Sequence, residues 1–152
     1  MSVAARLAEL GIELPSVVPP VAAYLPATVH GDLVYTSGQL PMVAGSLPAT
    51  GKVGGTVDAE DAKAYARQSA LNAVAAAAAA VGGVDRLVGV VKVTGFVASV
   101  PDFTGQPGVI NGASEVLGDI FGEAGRHARS AVGVPVLPLD SPVEVEVVFS
   151  WA

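Results

Sequence analysis

The sequence predicts an α+β fold in which helices cover one face of a sheet. Three features support this prediction: a long alanine-rich helix, a long valine-rich strand, and a last strand that alternates apolar and polar residues. The predicted order is helix, strands, helix, strand, helix and two strands. With 152 residues, no internal repeat and no linker, the chain has the length of one domain, and we assign residues 1–152 to it.

The N-terminal third contains short elements. A short amphipathic helix is predicted over Ser2–Leu10. The proline-rich stretch Pro15–Pro26 should cross the surface and can contribute an edge strand. A strand follows over Leu33–Gln39 after a tight turn, and residues 41–55 carry enough glycine and proline to predict a loop.

The central third contains the strongest signals. Asp58–Val81 predicts a helix, because an aspartate can cap its start, alanine and leucine fill it, and two glycines stop it. Leu87–Val100 predicts a strand that is apolar on both faces and therefore needs cover on both sides. Its apolar residues are assigned to two faces, with Val91, Val93 and Val97 on one and Val90, Phe96 and Val100 on the other. The helix can cover one face and a second subunit the other.

The C-terminal third predicts one further helix and two strands. After a loop at Phe103–Pro107, a helix is expected over Val109–Phe121, entered near Asn111. Strands are expected over Ala131–Val136 and over Val143–Trp151, where the alternation is cleanest.

Composition excludes several classes of protein. The absence of cysteine removes disulfides, thiolate zinc sites and cysteine nucleophiles, and two histidines argue against a histidine-rich metal site. A net charge of −6 with only eight dispersed cations argues against nucleic-acid binding. Mean hydropathy is high at +0.56, yet no apolar run reaches the ~18 residues of a membrane span. We expect an oligomer, because a chain with so few charged residues has little polar surface. We expect a cytoplasmic protein, because the N-terminus lacks the apolar segment of a secretory signal.

Three segments carry candidate functional residues. Ser37 and Gly38, at a strand end, expose a hydroxyl and a backbone N–H that suit an anion, although such a corner is usually only a turn. Arg129 precedes an apolar strand and needs a carboxylate partner from the protein or from a ligand; the residues alone favour an internal salt bridge. Glu144 and Glu146 share a strand face, which is usually solvated. If Arg129 and Glu144 lie on adjacent strands, they form a pocket for a small carboxylate.

Five segments together resemble the Rid/YjgF family of reactive-intermediate deaminases, also called the endoribonuclease L-PSP family. They occur in the family's order: LVYTSGQLP (33–41), ARQSALNAVAAAAAAVGG (66–83), VVKVTGFVASVPDF (90–103), ARSAVGV (128–134) and LPLDSPVEVEVVF (137–149). The resemblance implies the chorismate-mutase-like α+β fold, with a mixed sheet and two main helices on one face. It also implies a homotrimer with clefts between subunits. Residues 1–14, with the first helix, are additional to the family pattern.

The resemblance also implies a chemistry. Family members hydrolyse small enamine or imine carboxylates, such as 2-aminoacrylate, to a 2-oxo acid and ammonia, without a metal or an organic cofactor. Arg129 matches the arginine that binds the substrate carboxylate, and Glu144 matches the glutamate that orients water. The other matching positions line the cleft: Tyr24, Ser37, Gly38 and Asn111.

Two departures from the family pattern leave other functions open. Ala131 stands where many members carry a cysteine, and His127 stands where proline is common and could add a polar contact. Without the cysteine, a protein that binds a small carboxylate without turnover remains an alternative to the deaminase. Ribonuclease activity is the weakest alternative, because the acidic chain shows no basic track.

Overall fold

The computed structural model describes residues 1–17 and 23–152 and contains three helices and one five-stranded sheet in these residues. The helices are α1 (Val3–Glu9), α2 (Ala59–Val81) and α3 (Gln106–Phe121). The strands are β1 (Ala27–His30), β2 (Leu33–Thr36), β3 (Leu87–Ala98), β4 (Ala128–Val134) and β5 (Val143–Trp151). The sheet order is β1-β2-β5-β3-β4, and only β3 and β4 pair in parallel. The predicted mixed α+β fold is therefore confirmed.

Helices α2 and α3 cover one face of this sheet. The alternation of β5 predicts the division, because successive side chains of a strand point to opposite faces. Val145 and Phe149 are fully buried in the core that α2 and α3 complete, whereas Glu144 and Glu146 point the other way. We call the side that carries the two glutamates the open face. None of the described helices combines the length and hydropathy needed to cross a membrane.

Local signals predicted α2 correctly. The Asp58 carboxylate accepts the backbone N–H of Glu60 at 2.7 Å, and Gly82 ends the helix in the left-handed conformation. The small side chains of α2 allow α3 to approach closely. At Gly112 of α3, an added Cβ would collide with the backbone carbonyl of Lys63 on α2, so only glycine fits there.

Two predicted starts near the candidate site are wrong. Helix α3 begins at Gln106, and the predicted loop Phe103–Pro107 runs into its first turn. Proline is tolerated there because the first N–H groups of a helix have no intrahelical partner. Strand β4 begins at Ala128 because it pairs with β3 from Lys92 onward, so Arg129 lies inside the strand.

The sheet edge and the faces of β3 also differ from prediction. The edge strand β1 follows the proline-rich stretch, of which residues 18–22 lie outside the described residues. In β3, register shifts against β5 change the side-chain alternation. Val90 and Val93 are consequently both buried on the helix side, whereas Val91 is 42% exposed. The predicted assignment of Val91 to the face of Val93 is wrong.

Candidate functional site

The guanidinium of Arg129 lies between β4 and α3 and is held by uncharged acceptors. Its Nη1 donates to Asn111 Oδ1 at 2.7 Å and to Ser114 Oγ at 3.2 Å, and its Nη2 donates to the Pro107 carbonyl at 3.3 Å. No described carboxylate forms a salt bridge with it, so the internal ion pair that the residues alone favoured is absent there. A partly buried cation without an anion suits a carboxylate ligand.

His127 belongs to the same group of side chains. Its Nε2 lies 2.9 Å from Ser114 Oγ, and its Nδ1 lies 2.6 Å from the Gly125 carbonyl. Both ring nitrogens therefore have protein partners, and the polar contact that we expected His127 to offer a ligand is taken up within the chain. We call Arg129, Asn111, Ser114 and His127 the arginine network.

Sequence reasoning missed Ser114, although a signal was present. Asn111 and Ser114 are three residues apart, and this spacing places both on one side of a helix. The predicted entry of the helix near Asn111 hid this relation, because the regular spacing then began only at that residue. The structure brings Asn111 to Arg129, a contact that the sequence resemblance, which placed Asn111 near the cleft, did not specify.

Tyr24, Ser37, Gly38 and Glu144 lie near the end of β2. The Ser37 hydroxyl donates a hydrogen bond to the Leu25 carbonyl at 2.6 Å. This bond connects Ser37 to the residue that follows Tyr24, and the Tyr24 side chain is 59% exposed. The carboxylate of Glu144 packs against Gly38 so closely that an added Cβ there would lie 2.5 Å from Oε1. We call Ser37, Gly38 and Glu144 the glutamate corner.

The carboxyl group of Glu144 has an unusual environment. Burial raises its pKa above the ordinary value, and the negative charge of Glu146 raises it further. Among the described residues, no hydrogen bond or salt bridge offsets this burial. A partly desolvated, unpaired carboxyl group has the properties of a proton acceptor at a reaction centre.

The arginine network and the glutamate corner lie on opposite faces of the sheet. Strands β4 and β5 are separated by β3, where Arg129 pairs with Val93 and Glu144 pairs with Phe96. Val93 faces the helices, and Phe96, three residues further along the same strand, lies on the open face. The predicted convergence of Arg129 and Glu144 on adjacent strands of one chain is therefore wrong.

Ala131 lies on β4 two residues after Arg129 and thus shares its face of the sheet. It packs partly buried against the core, where it offers only a methyl group. In the part of the chain that the structure describes, no group of three or more histidine, aspartate or glutamate side chains is arranged to hold a metal ion.

Comparison with known proteins identifies the family of this chain. The model of the YjgF/chorismate mutase-like endoribonuclease family matches residues 4–150. The chain belongs to this family. The match spans nearly the entire chain, so it includes both the arginine network and the glutamate corner.

Three relatives illustrate the range of similarity. Protein TCP17 of Trypanosoma cruzi is 44% identical over 147 residues, which cover 95% of this chain and 91% of TCP17. The crystal structure of Atu1372 from Agrobacterium tumefaciens, a protein of unknown function, is 43% identical with a TM-score of 0.90, over 99% of this chain and 94% of Atu1372. Escherichia coli TdcF, solved with bound serine, is 28% identical with a TM-score of 0.61, over 91% of this chain and 94% of TdcF.

Proposed function

We propose that this protein is a cofactor-free hydrolytic deaminase of small enamine or imine carboxylates resembling 2-aminoacrylate. The observation that carries the proposal is the guanidinium of Arg129, which is partly buried and held by uncharged acceptors with no described carboxylate beside it. A substrate carboxylate would supply the missing anion. The serine bound to the relative TdcF is also a small molecule with a carboxylate and a nitrogen, which supports this class of ligand.

The reaction needs only a held substrate, a water molecule and one group that moves protons. Protonation of the enamine carbon and loss of a proton from the nitrogen together give the imine. Water then adds its oxygen to the imine carbon while the C=N π electrons move to nitrogen. The resulting carbinolamine expels ammonia as the C–N bond breaks, and its hydroxyl loses a proton to form the 2-oxo acid. Enamine and water are thereby converted to 2-oxo acid and ammonia without any redox change.

Glu144 is the group that we assign to proton transfer. The pKa of Glu144 is raised towards neutral pH, and its carboxylate is therefore a stronger base towards water. In this role it takes a proton from the attacking water and returns a proton to the departing nitrogen. Holding water and substrate together lowers the barrier further, because the reactants no longer have to meet by diffusion.

A complete site requires a second copy of the chain. One small substrate cannot touch Arg129 and Glu144 of the same chain, because the two side chains lie on opposite faces of the sheet. We therefore propose a homotrimer in which the open face of one subunit meets the arginine network of the next. Partly exposed apolar side chains on the strands, Tyr35 and Val132 among them, provide surface for such contacts. Sedimentation should give three times the 15.1 kDa of the chain, and a stable monomer would contradict the shared cleft.

The second candidate is a binding protein for a small carboxylate that does not turn it over. Ala131 favours it, since its methyl group replaces the cysteine of many relatives on the face that Arg129 occupies. The two candidates share a ligand class and differ in whether ammonia is released. The same assay therefore separates them.

The deciding experiment generates 2-aminoacrylate in solution and measures ammonia with and without the protein. A deaminase accelerates ammonia release in proportion to its concentration, and the Arg129→Ala variant loses most of that acceleration. Binding of pyruvate, the 2-oxo acid product, without accelerated ammonia release would favour the binding protein. Absence of both would contradict both candidates.

A further inference from the structure

A chain of hydrogen bonds extends from Arg129 away from the carboxylate that we propose it binds. Nη1 of Arg129 contacts Ser114 Oγ at 3.2 Å, Ser114 Oγ contacts His127 Nε2 at 2.9 Å, and His127 Nδ1 contacts the Gly125 carbonyl at 2.6 Å. This series of hydrogen bonds thus links a mid-helix serine on α3 to the residues on both sides of the start of β4. Ser114 and His127 both have hydrogen-bond partners within the protein, and Arg129 is the candidate ligand-binding group that these bonds reach.

With a neutral His127 ring, the chemistry of these groups fixes the direction of each hydrogen bond. The Gly125 carbonyl can only accept, so His127 Nδ1 carries a hydrogen. In the neutral ring Nε2 is then an acceptor, and the Ser114 hydroxyl donates to it. The lone pairs of Ser114 Oγ remain for the Arg129 guanidinium, which can only donate. Every donor in the chain therefore faces an acceptor when His127 is a neutral Nδ1–H tautomer.

This arrangement leaves one edge of the guanidinium available. Asn111 and Ser114 occupy the two hydrogens of Nη1, and Pro107 accepts one from Nη2. No described residue accepts a hydrogen from Nε. The donors left over are Nε–H and one hydrogen of Nη2. A carboxylate can engage the Nε–H and Nη2–H donors of an arginine with its two oxygens.

We propose that Ser114 and His127 are positioning residues that hold the Arg129 guanidinium so that its Nε–Nη2 edge faces the substrate carboxylate. The carboxylate part of this proposal rests on the proposed function. The orientation of the guanidinium is independent of it and can be measured without a ligand. His127 acts through Ser114, so removing either side chain releases the same Nη1 contact.

Nitrogen NMR of the free protein tests the orientation. Wild-type protein should show His127 with hydrogen on Nδ1 and a bare Nε2, and slow rotation of the Arg129 guanidinium with distinct Nη1 and Nη2 signals. In Ser114→Ala and His127→Leu the guanidinium should rotate faster, while His127→Gln, whose amide oxygen can replace Nε2 as acceptor, should keep slow rotation. His30→Leu, at the exposed end of β1, is the matched control and should leave Arg129 unchanged. Circular dichroism confirms that each variant folds.

Pyruvate titration of the same proteins tests the consequence for a carboxylate. Ser114→Ala and His127→Leu should bind pyruvate roughly 3- to 10-fold more weakly, as expected for the loss of one hydrogen bond, and KM should change more than kcat. His127→Gln should stay near wild type. Hydrogen on Nε2 of His127, or wild-type rotation and affinity in folded Ser114→Ala, would overturn the proposal. A held guanidinium in a wild-type protein that binds no pyruvate would contradict the proposed function while confirming the positioning.

Discussion

The arginine network and the glutamate corner differ in the environment that each provides for its ionisable side chain. The cation is surrounded by oriented neutral acceptors, and its position is set before any ligand arrives. The carboxyl group of Glu144 has no described partner and an environment that raises its pKa. A group that binds a charge benefits from being held in place, whereas a group that moves a proton benefits from a pKa near the working pH. Under the proposed function, the network therefore provides affinity and the corner provides turnover.

Glu144→Gln should give the largest effect, because it removes the proposed proton acceptor while keeping its size. Turnover of 2-aminoacrylate should fall about 10²- to 10⁴-fold, with pyruvate affinity nearly intact. Glu146→Gln, on the same strand and face, is the matched control and should change turnover little. Equal, small effects from the two variants would mean that neither acid takes part in the chemistry and would favour a binding protein.

Arg129→Ala should affect mainly binding. Loss of a charged hydrogen-bonding partner should weaken pyruvate affinity by about 1.5–3 kcal/mol, or roughly 10- to 100-fold. Arg126→Ala is the matched control, since Arg126 lies three residues earlier, is strongly exposed and pairs with Glu123. Calorimetric titration of both variants measures the difference. An Arg129→Ala protein that unfolds, when Arg126→Ala does not, would indicate that the arginine serves the fold.

Gly38→Ala tests whether the corner depends on close packing. The new methyl group would displace the Glu144 carboxylate, which lies at the flexible end of its side chain, so the fold should survive. Turnover should fall roughly tenfold, less than the ~10² that a 1 Å misplacement can cost. Gly118→Ala is the control, because an added Cβ on that part of α3 meets no other atom. Unchanged turnover in Gly38→Ala would show that the position of Glu144 is not critical.

The smallest effect concerns stability. Burial raises the pKa of Glu144 in the folded state. Ionisation of Glu144 therefore destabilises the fold as the pH rises from the pKa of the unfolded state through the pKa of the folded state. Glu144→Gln should therefore melt at a higher temperature than wild type at pH 7, and the difference should vanish in acid below the unfolded pKa. Melting curves across this pH range measure it. A Glu144→Gln protein less stable than wild type at pH 7 would show that the carboxylate has a stabilising partner.

The family resemblance named most of the residues that the structure groups into the network and the corner. Arg129 and Asn111 touch, and Glu144 packs on Gly38. Ser114 was missed because the predicted entry of the helix near Asn111 hid the three-residue spacing that places both residues on one side of α3. The opposite faces of Arg129 and Glu144 were missed because they depend on strand order.

The sequence by itself determined the elements whose signals are local. Helix α2 follows from its capping aspartate, its alanines and its glycine stop, and β5 follows from strict alternation. Only the tertiary structure decided features that depend on partners far along the chain. Strand β4 starts at Ala128 because β3 pairs with it there. Helix α3 starts at Gln106, whose side chain donates hydrogen bonds to Ser99 and to the Phe103 carbonyl. Arg129 and Glu144 are divided by the strand between them. Local propensity acts through neighbours in sequence. Strand pairing, and the sheet face on which a side chain lies, depend on contacts that exist only once the chain has folded.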